Sequence, residues 1–230
     1  MKREVFVLII DERLSTYIDS ISWSIPEYLK EVEKEALADG VPIIRRPMQS
    51  LIFFLTIKKP KAVLEIGTAV GFSSMLMSEY VSDNTIIDTI EKVPIRIKCA
   101  KENFARYEKT ERINLFEGDA ADVLKELAAA GNKYDFIFMD AAKGQYLNFL
   151  EPVLEMLDED GLLVTDNVLQ DGDIIQSRYA ITKRDRTIHG RMREYLYFLT
   201  HSERFKTVVL PVGDGAALSQ VVPGSISNND

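Results

Sequence analysis

The sequence predicts one α/β domain in which a mostly parallel sheet ends in an antiparallel hairpin. Its 230 residues are 46% hydrophobic and 28% charged, which is enough for one large core. From residue 62 onward, short apolar runs alternate with segments of helical spacing, which is the pattern of right-handed βαβ units. The last two apolar runs flank Gly213-Asp214-Gly215, a turn typical of a hairpin.

Residues 1–59 are interpreted as a helical cap over this core rather than as a separate domain. One helix is expected to carry Pro26 in its first turn, with Ser24 as its cap, and to stop near Gly40. Another is expected to start at Met48 and to lead into the first strand.

The core is predicted to span residues 60–222, followed by a frayed tail at 223–230. Strands are predicted near residues 62–66, 86–90, 113–117, 134–139 and 161–165, with the hairpin at 208–212 and 217–221. Helices are predicted near residues 72–80, 94–107, 120–130 and 145–157. The sheet is therefore expected to have seven strands.

Charge and cysteine content limit the class of protein. The net charge of −8 argues against wholesale coating of nucleic acid, although it allows a local basic patch. The single cysteine, Cys99, supports no disulfide framework, so a reducing, cytoplasmic location is expected. The apolar run at residues 5–10 is too short to span a membrane. We interpret it as a strand or as a strip that packs against a partner, such as the second copy in a homodimer.

The turn after the first strand is the most informative stretch. Glu65 stands two residues before Gly67, and Gly71 follows four residues later, so the turn differs from the G-x-G-x-x-G pattern of dinucleotide sites. The glycines allow a sharp turn and a close approach to a ligand, and the next helix aims free N–H groups at the turn. The acid would repel a pyrophosphate and suits a ligand that carries an ammonium group. An ordinary glycine-containing turn explains the pattern equally well.

Acidic residues stand at the carboxyl ends of all five predicted parallel strands, where ligands bind in open α/β sheets. They are Glu65, Glu91, Glu117 with Asp119, Asp140 and Asp166. Glu91 is suited to accept hydrogen bonds from both hydroxyls of a ribose. Any one of these acids can instead cap the following helix, but five together favour a shared site.

Asp140, Asp166 and Asn167 form the sharpest group. Two carboxylates and an amide oxygen are a hard ligand set that suits Mg²⁺, with Ca²⁺ or Mn²⁺ as competitors. Successive strand residues face opposite ways, so the chain must leave strand geometry for Asp166 and Asn167 to reach one ion. A plain Asp-Asn turn is the alternative. Lys143 is a candidate general base or, alternatively, a solvated lysine at a helix start.

These motifs resemble the class I S-adenosylmethionine-dependent O-methyltransferases of the catechol and caffeoyl-CoA type. The matching stretches are V-L-E-I-G-T-A-V-G-F-S-S at 63–74, F-I-F-M-D-A-A-K-G-Q-Y at 136–146, T-D-N-V-L at 165–169 and L-P-V-G-D-G-A-A-L-S at 210–219. The resemblance implies a Rossmann-like, seven-stranded methyltransferase sheet, S-adenosylmethionine and Mg²⁺ as cofactors, a homodimer, and methyl transfer to a hydroxyl oxygen.

The resemblance also implies roles for single residues. The cofactor-binding residues that it implies are Ile43, Glu65, Gly67, Thr68, Ser73, Glu91, Asp119, Ala120 and Asp140. The metal ligands that it implies are Asp140, Asp166 and Asn167, and the catalytic residues are Lys143 and Asp140. Ala142 stands where many relatives carry an acid, which removes a cofactor contact.

A basic segment follows the last of these metal ligands. Residues 178–193 contain six arginines and lysines against one acid, which favours a polyanionic substrate beside the catalytic mouth. The segment resembles that of the bacterial tRNA 5-hydroxyuridine methyltransferases. The predicted substrate patch comprises Arg45, Arg46, Arg178, Lys183, Arg184, Arg186 and Arg191.

The resemblance to the tRNA enzymes implies that the substrate is the wobble uridine of a tRNA anticodon loop, and that the product is 5-methoxyuridine. Two alternatives stay open. The arginines can lie on the solvated face of a helix whose apolar stripe is Ile188, Met192, Tyr195 and Leu199, and the acceptor is then a small catechol-like or CoA-linked phenolic compound. The chain can also be a binding module of α/β type without enzymatic activity.

Overall fold

The structure is a computed structural model that describes residues 12–44 and 50–225. Three helices precede the sheet: α1 (Glu12–Ile21), α2 (Glu27–Ala38) and α3 (Ser50–Lys58). The strands are β1 (Ala62–Ile66), β2 (Ile86–Glu91), β3 (Ile113–Glu117), β4 (Tyr134–Met139), β5 (Leu157–Thr165), β6 (Phe205–Leu210) and β7 (Ala216–Val221). The later helices are α4 (Phe72–Tyr80), α5 (Pro94–Arg106), α6 (Ala120–Ala129), α7 (Tyr146–Met156) and α8 (Arg186–His201). Short 3₁₀ turns span Lys143–Gln145 and Gln170–Ile175.

The seven strands form one sheet in the order β3-β2-β1-β4-β5-β7-β6. Strands β1 to β5 are parallel, and β7 runs antiparallel to both β5 and β6. This confirms the predicted fold. The chain moves outward from β1 to β3 and then returns to place β4 on the other side of β1. The order thus reverses between β1 and β4, and a crevice forms at their carboxyl ends.

Apolar layers cover both faces of the sheet. Val63, Phe136 and Val164 face the layer that contains α2, α3, α4 and α5. Their neighbours Leu64 and Ile137 face the layer formed by α6, α7 and α8. Burial on both sides explains why the parallel strands are nearly continuous apolar runs. No helix in the described ranges is long and apolar enough to cross a membrane.

Three local predictions were wrong. The first strand of the hairpin, β6, spans Phe205–Leu210 rather than residues 208–212. Ser24 does not cap α2, because Pro26 occupies the N-cap position and the Ser24 hydroxyl donates to the carbonyl of Ile25 instead. Strand β5 begins at Leu157 rather than at residue 161, because Leu157 already pairs with Tyr134 before the register shifts. The apolar run at residues 5–10 and most of the predicted tail lie outside the described residues.

Candidate active site

A cavity of about 590 Å³ opens at the carboxyl ends of the strands, where the sheet order reverses. The predicted site residues that line it are Ile43, Gly67, Glu91, Asp119, Ala120, Asp140, Lys143, Asp166 and Asn167. Ala142, where the sequence departs from many relatives, also lines it. Glu65, Thr68 and Ser73 are buried and do not line it. Acids from the ends of four parallel strands thus share one cavity.

The turn after β1 joins three strand ends. The amides of Gly67 and Thr68 both donate to the carbonyl of Ile90 at 3.1 Å, and the amide of Asp140 donates to the carbonyl of Ile66 at 3.0 Å. Gly67 has a φ of +112°, and a Cβ at this position would lie 2.0 Å from the carbonyl oxygen of Asp140. The first glycine of the motif is therefore required both by its backbone angle and by the close approach of the chain after β4.

Glu65 is a fully buried acid in β1 rather than a residue at its tip. The hydroxyls of Ser74 and Thr89 donate to its Oε2, the latter at 2.5 Å, whereas its Oε1 has no partner within the described part of the chain. Burial raises the pKa of Glu65 to about 7, although hydrogen bonds from the neighbouring hydroxyls oppose this rise. A partnerless buried carboxylate oxygen is suited to an ammonium group on a ligand.

The Glu91 carboxylate accepts hydrogen bonds from the turn after β1 and from the residues that follow β2. Its Oε2 accepts the amide of Ala69 at 2.9 Å, and its Oε1 accepts the amides of Lys92 and Val93, both at 2.9 Å. A carboxylate has about four acceptor positions, so about one position stays open for a hydroxyl group after these three bonds. Its orientation is thus fixed by backbone amides before any ligand binds.

Asp119 both caps a helix and lines the cavity, which are the two roles that the sequence allows. Its Oδ1 accepts the amide of Ala121 at 3.0 Å and caps α6, and its Oδ2 contacts the Lys92 ammonium group at 3.1 Å. The hydrogen bond from the Ala121 amide, followed by the contact with Lys92, lowers the pKa of Asp119. It also lines the cavity, so the helix-capping interpretation holds without removing it from the site.

Asp140, Asp166 and Asn167 lie at neighbouring strand ends, because the amide of Asp166 donates to the carbonyl of Met139 at 3.0 Å. Burial and then the charge of Asp140 raise the pKa of Asp166 to about 7. Burial raises the pKa of Asp140 to about 6, with Lys143 opposing. Asn167 has a φ of +57°, so the chain leaves strand geometry where the sequence required it. Within residues 12–44 and 50–225, no cluster of three His, Cys, Asp or Glu side chains could hold a metal ion. The set of Asp140, Asp166 and Asn167 is not such a cluster, because its third donor is an amide oxygen.

Asp214 is a site residue that the sequence reasoning missed. It lies in the turn between β6 and β7 and lines the cavity. Its Oδ2 accepts the Lys143 ammonium group at 2.9 Å. An acid between two glycines, within one of the four matching stretches, was the feature that could have identified it.

Tyr146 connects the two carboxylate-bearing turns from behind. Its hydroxyl donates to the carbonyl of Asp166 at 3.1 Å. Burial raises the pKa of this hydroxyl, and the backbone of Ala141 opposes the rise. The ring is buried and lies 5.5 Å from that of Tyr195, whose hydroxyl pairs with the Thr165 hydroxyl at 2.6 Å. Tyr146 thus bridges the chain after β4 and the chain after β5.

If Asp140 and Asp166 hold a cation as the sequence predicts, Tyr146→Phe is expected to weaken its binding about tenfold, because the two turns lose their shared hydroxyl. Equilibrium titration with Mn²⁺ measures this. Tyr195→Phe removes the same atom from an equally buried ring and serves as the control, with Mn²⁺ affinity expected to stay near that of the wild type. Equal losses in both variants would contradict the bridging role.

The basic patch has a different structure from the one predicted. Of its five residues in the described ranges, none lines the cavity, and Arg45 and Arg46 lie outside those ranges. The Arg186 and Arg191 side chains donate to the carbonyls of Ile181 and Gly144, at 3.1 and 2.7 Å. The other three described members of the patch are exposed: Arg178, Lys183 and Arg184. The apolar stripe of α8 is buried at Met192, Tyr195 and Leu199, with Ile188 partly buried.

Comparison with known proteins gives consistent matches. The profile of the O-methyltransferase family matches residues 19–222. A caffeoyl-CoA O-methyltransferase of Stellaria longipes is 28% identical over 219 residues, which cover 90% of each chain. A catechol O-methyltransferase of Niastella koreensis is 32% identical over 116 residues, or 50% of this chain and 52% of the relative.

A solved structure shares both the fold and the sequence similarity. The methyltransferase PaMTH1 of Podospora anserina, bound to S-adenosylhomocysteine, has a TM-score of 0.81 and 28% identity, and the alignment covers 91% of this chain and 94% of that one. The family profile spans far more than half of the chain. The chain therefore belongs to the O-methyltransferase family and is an S-adenosylmethionine-dependent O-methyltransferase.

Proposed function

We propose that the enzyme methylates a hydroxyl oxygen of a small catechol-like or CoA-linked phenolic acceptor, with a divalent cation held by Asp140, Asp166 and Asn167. The observation that carries this proposal is the pair of carboxylates with raised pKa values at neighbouring strand ends, in the cavity that Gly67 and Glu91 also line. The acceptor class is supported by the relatives named catechol and caffeoyl-CoA O-methyltransferase.

The donor set fits a hard divalent cation. Asp140 raises the pKa of Asp166, which means that the two charges repel each other at a site where burial already opposes ionisation. Two positive charges between them would offset both effects, and the Asn167 amide oxygen adds a neutral hard donor. When bound, such a cation lowers the pKa of an acceptor hydroxyl and holds it in place.

Other residues of the chain hold the methyl donor and stabilise the acceptor oxyanion. The Glu91 carboxylate is oriented to accept a ribose hydroxyl. Glu65 Oε1, a buried acceptor without a partner in the described residues, is assigned to the ammonium group of the methionine part, although it does not line the cavity in this structure. Ile43 and Ala120 line the cavity beside them. At the acceptor end of the cavity, which Lys143, Asp166 and Asn167 line, the Lys143 ammonium group stabilises the oxyanion that forms when the acceptor hydroxyl loses its proton. Holding the two reactants in near-attack geometry supplies most of the acceleration.

A tRNA acceptor, methylated at 5-hydroxyuridine in the wobble position, is the second candidate. It rests on Arg178, Lys183 and Arg184, which are exposed on the segment that follows Asn167. It is weakened by Arg186 and Arg191, whose guanidinium groups bond to carbonyls of the chain itself. A cytoplasmic location and a homodimer are part of both proposals.

A two-acceptor assay tests the proposal. The enzyme is incubated with labelled S-adenosylmethionine and Mg²⁺, with either a catechol or undermethylated bulk tRNA as acceptor. We expect label in the catechol alone, with turnover insensitive to moderate salt because few phosphate contacts are involved.

Charge reversal separates the two acceptors. Lys183→Glu with Arg184→Glu is expected to change catechol turnover by less than about twofold, since the patch lies outside the cavity. Lys34→Glu with Lys125→Glu is the matched control on another exposed surface. Label found only in tRNA, and lost only in the first double variant, would establish the second candidate instead. Label in neither acceptor would overturn both.

A further inference from the structure

The turn between β6 and β7 reaches the part of the cavity that is proposed to hold the acceptor. Gly213 and Asp214 line the cavity together with Lys143, Asp166 and Asn167. Strand β7 pairs with β5 up to the end of that strand, where Thr165 stands opposite Ala217. The hairpin turn is therefore held beside the residues that follow β5.

Backbone contacts attach this turn to the segment after Asn167. The amide of Val168 donates to the carbonyl of Gly215 at 3.0 Å, and the amide of Leu169 donates to the carbonyl of Asp214 at 2.9 Å. A Cβ at Gly215 would lie 2.2 Å from Leu169 Cγ, so the two segments are in close contact. The contact of Asp214 here is through its main-chain carbonyl and does not involve its carboxylate.

The carboxylate of Asp214 is directed to Lys143. The distance from Lys143 Nζ to Asp214 Oδ2 is 2.9 Å, and the Asp214 side chain is 6% exposed. Lys143 lies in the 3₁₀ turn after β4, 71 residues away in the chain. An ion pair with a nearly buried partner restricts a flexible lysine far more than an exposed pair does.

We propose that Asp214 is a positioning residue for Lys143, whose ammonium group it fixes at the acceptor end of the cavity, so that its carboxylate acts on methyl transfer through Lys143. This inference rests on the proposed function, in which Lys143 faces the acceptor hydroxyl. An unrestrained lysine samples many rotamers, and fixing it places its positive charge before the acceptor binds. Stabilisation of the turn by Asp214 is a separate role, carried by its main chain.

A double-mutant cycle tests the inference, because residues that act as a unit have non-additive effects. Asp214→Asn keeps the main-chain contacts and removes the charge. We expect it to lower kcat on a catechol about 10- to 100-fold, with the Kd of S-adenosylmethionine within about twofold of the wild type. In a Lys143→Met background, the same change is expected to lower kcat further by less than about twofold.

Asp173→Asn is the matched control. Asp173 is an exposed acid in the 3₁₀ turn Gln170–Ile175, and it does not line the cavity. We expect this variant to leave kcat, cofactor affinity and melting temperature unchanged.

The outcomes separate this inference from the proposed function. An equal loss of kcat from Asp214→Asn in both backgrounds would overturn the action through Lys143. Lowered cofactor affinity and melting temperature without a change in kcat would assign Asp214 a purely structural role. If the wild-type enzyme methylates neither catechol nor a CoA-linked phenol, the proposed function itself fails.

Discussion

Asp166→Asn is expected to abolish methyl transfer while S-adenosylmethionine still binds. The substitution removes one of two carboxylates from the proposed cation site, and we expect kcat to fall by at least about 10³-fold. The groups proposed for the cofactor, Glu91 and the Gly67 turn, are held by their own backbone hydrogen bonds and remain. Single-turnover assays and calorimetric titration with S-adenosylhomocysteine measure the two effects. Loss of cofactor binding together with activity would contradict the assignment of the cation and the cofactor to separate residues of the cavity.

The same substitution is expected to stabilise the cation-free protein at pH 8. The pKa of Asp166 is raised from 3.8 to about 7 in the folded protein. Between these values the folded chain binds more protons than the unfolded chain, so stability falls as pH rises toward 7. Asparagine cannot ionise, and its side-chain oxygen can still accept the amide of Asn167, which Asp166 accepts at 2.6 Å.

Thermal unfolding in a chelator at pH 5 and pH 8 measures this effect. We expect Asp166→Asn to raise Tm by about 2–4 °C at pH 8 and by less at pH 5. Asp173→Asn, a change of the same kind at an exposed acid, is expected to give no gain. A lower Tm for Asp166→Asn at pH 8 would show that the ionised Asp166 carboxylate does not destabilise the folded protein.

Gly67→Ala is expected to disrupt both the cofactor turn and the end of β4. The added methyl group would lie 2.0 Å from the carbonyl oxygen of Asp140, at a φ of +112° that side chains rarely adopt. Relief requires movement of the main chain at β1 or at Asp140, and we expect destabilisation of about 3 kcal/mol or more. Cofactor affinity is expected to fall below detection. Denaturant unfolding and calorimetry measure the two losses.

Gly190→Ala is the control for this substitution. Gly190 lies within α8, and a Cβ there would meet no atom within 4 Å. Alanine favours a helix interior, so we expect a gain of about 0.5–1 kcal/mol with unchanged activity. A Gly67→Ala protein as stable as the wild type would mean that the turn is not packed as tightly as described.

The parallel strands and the C-terminal hairpin could be predicted because they follow from local patterns. Short apolar runs separated by helical spacing fix parallel strands covered on both faces, and the confirmed fold has this arrangement. Boundaries were less predictable. Asp158, Glu159 and Asp160 look like a turn, yet they belong to the first part of β5.

Long-range pairing could not be predicted from those patterns. Asp214 meets Lys143 only because β7 inserts between β5 and β6. Glu65 was expected at a strand tip, but β1 continues to Ile66 and the side chain is buried. Counting basic residues also gave no indication that Arg191 donates to the carbonyl of Gly144. Each of these outcomes depends on segments that are distant in the chain.

Binding of Mn²⁺, followed by electron paramagnetic resonance in the presence of S-adenosylhomocysteine, tests most directly whether Asp140, Asp166 and Asn167 hold a cation beside the cofactor. We predict a single tight site on the wild-type chain, which is lost in Asp140→Asn and in Asp166→Asn and is retained in Asp173→Asn. The same stoichiometry and affinity in all four proteins would contradict the account.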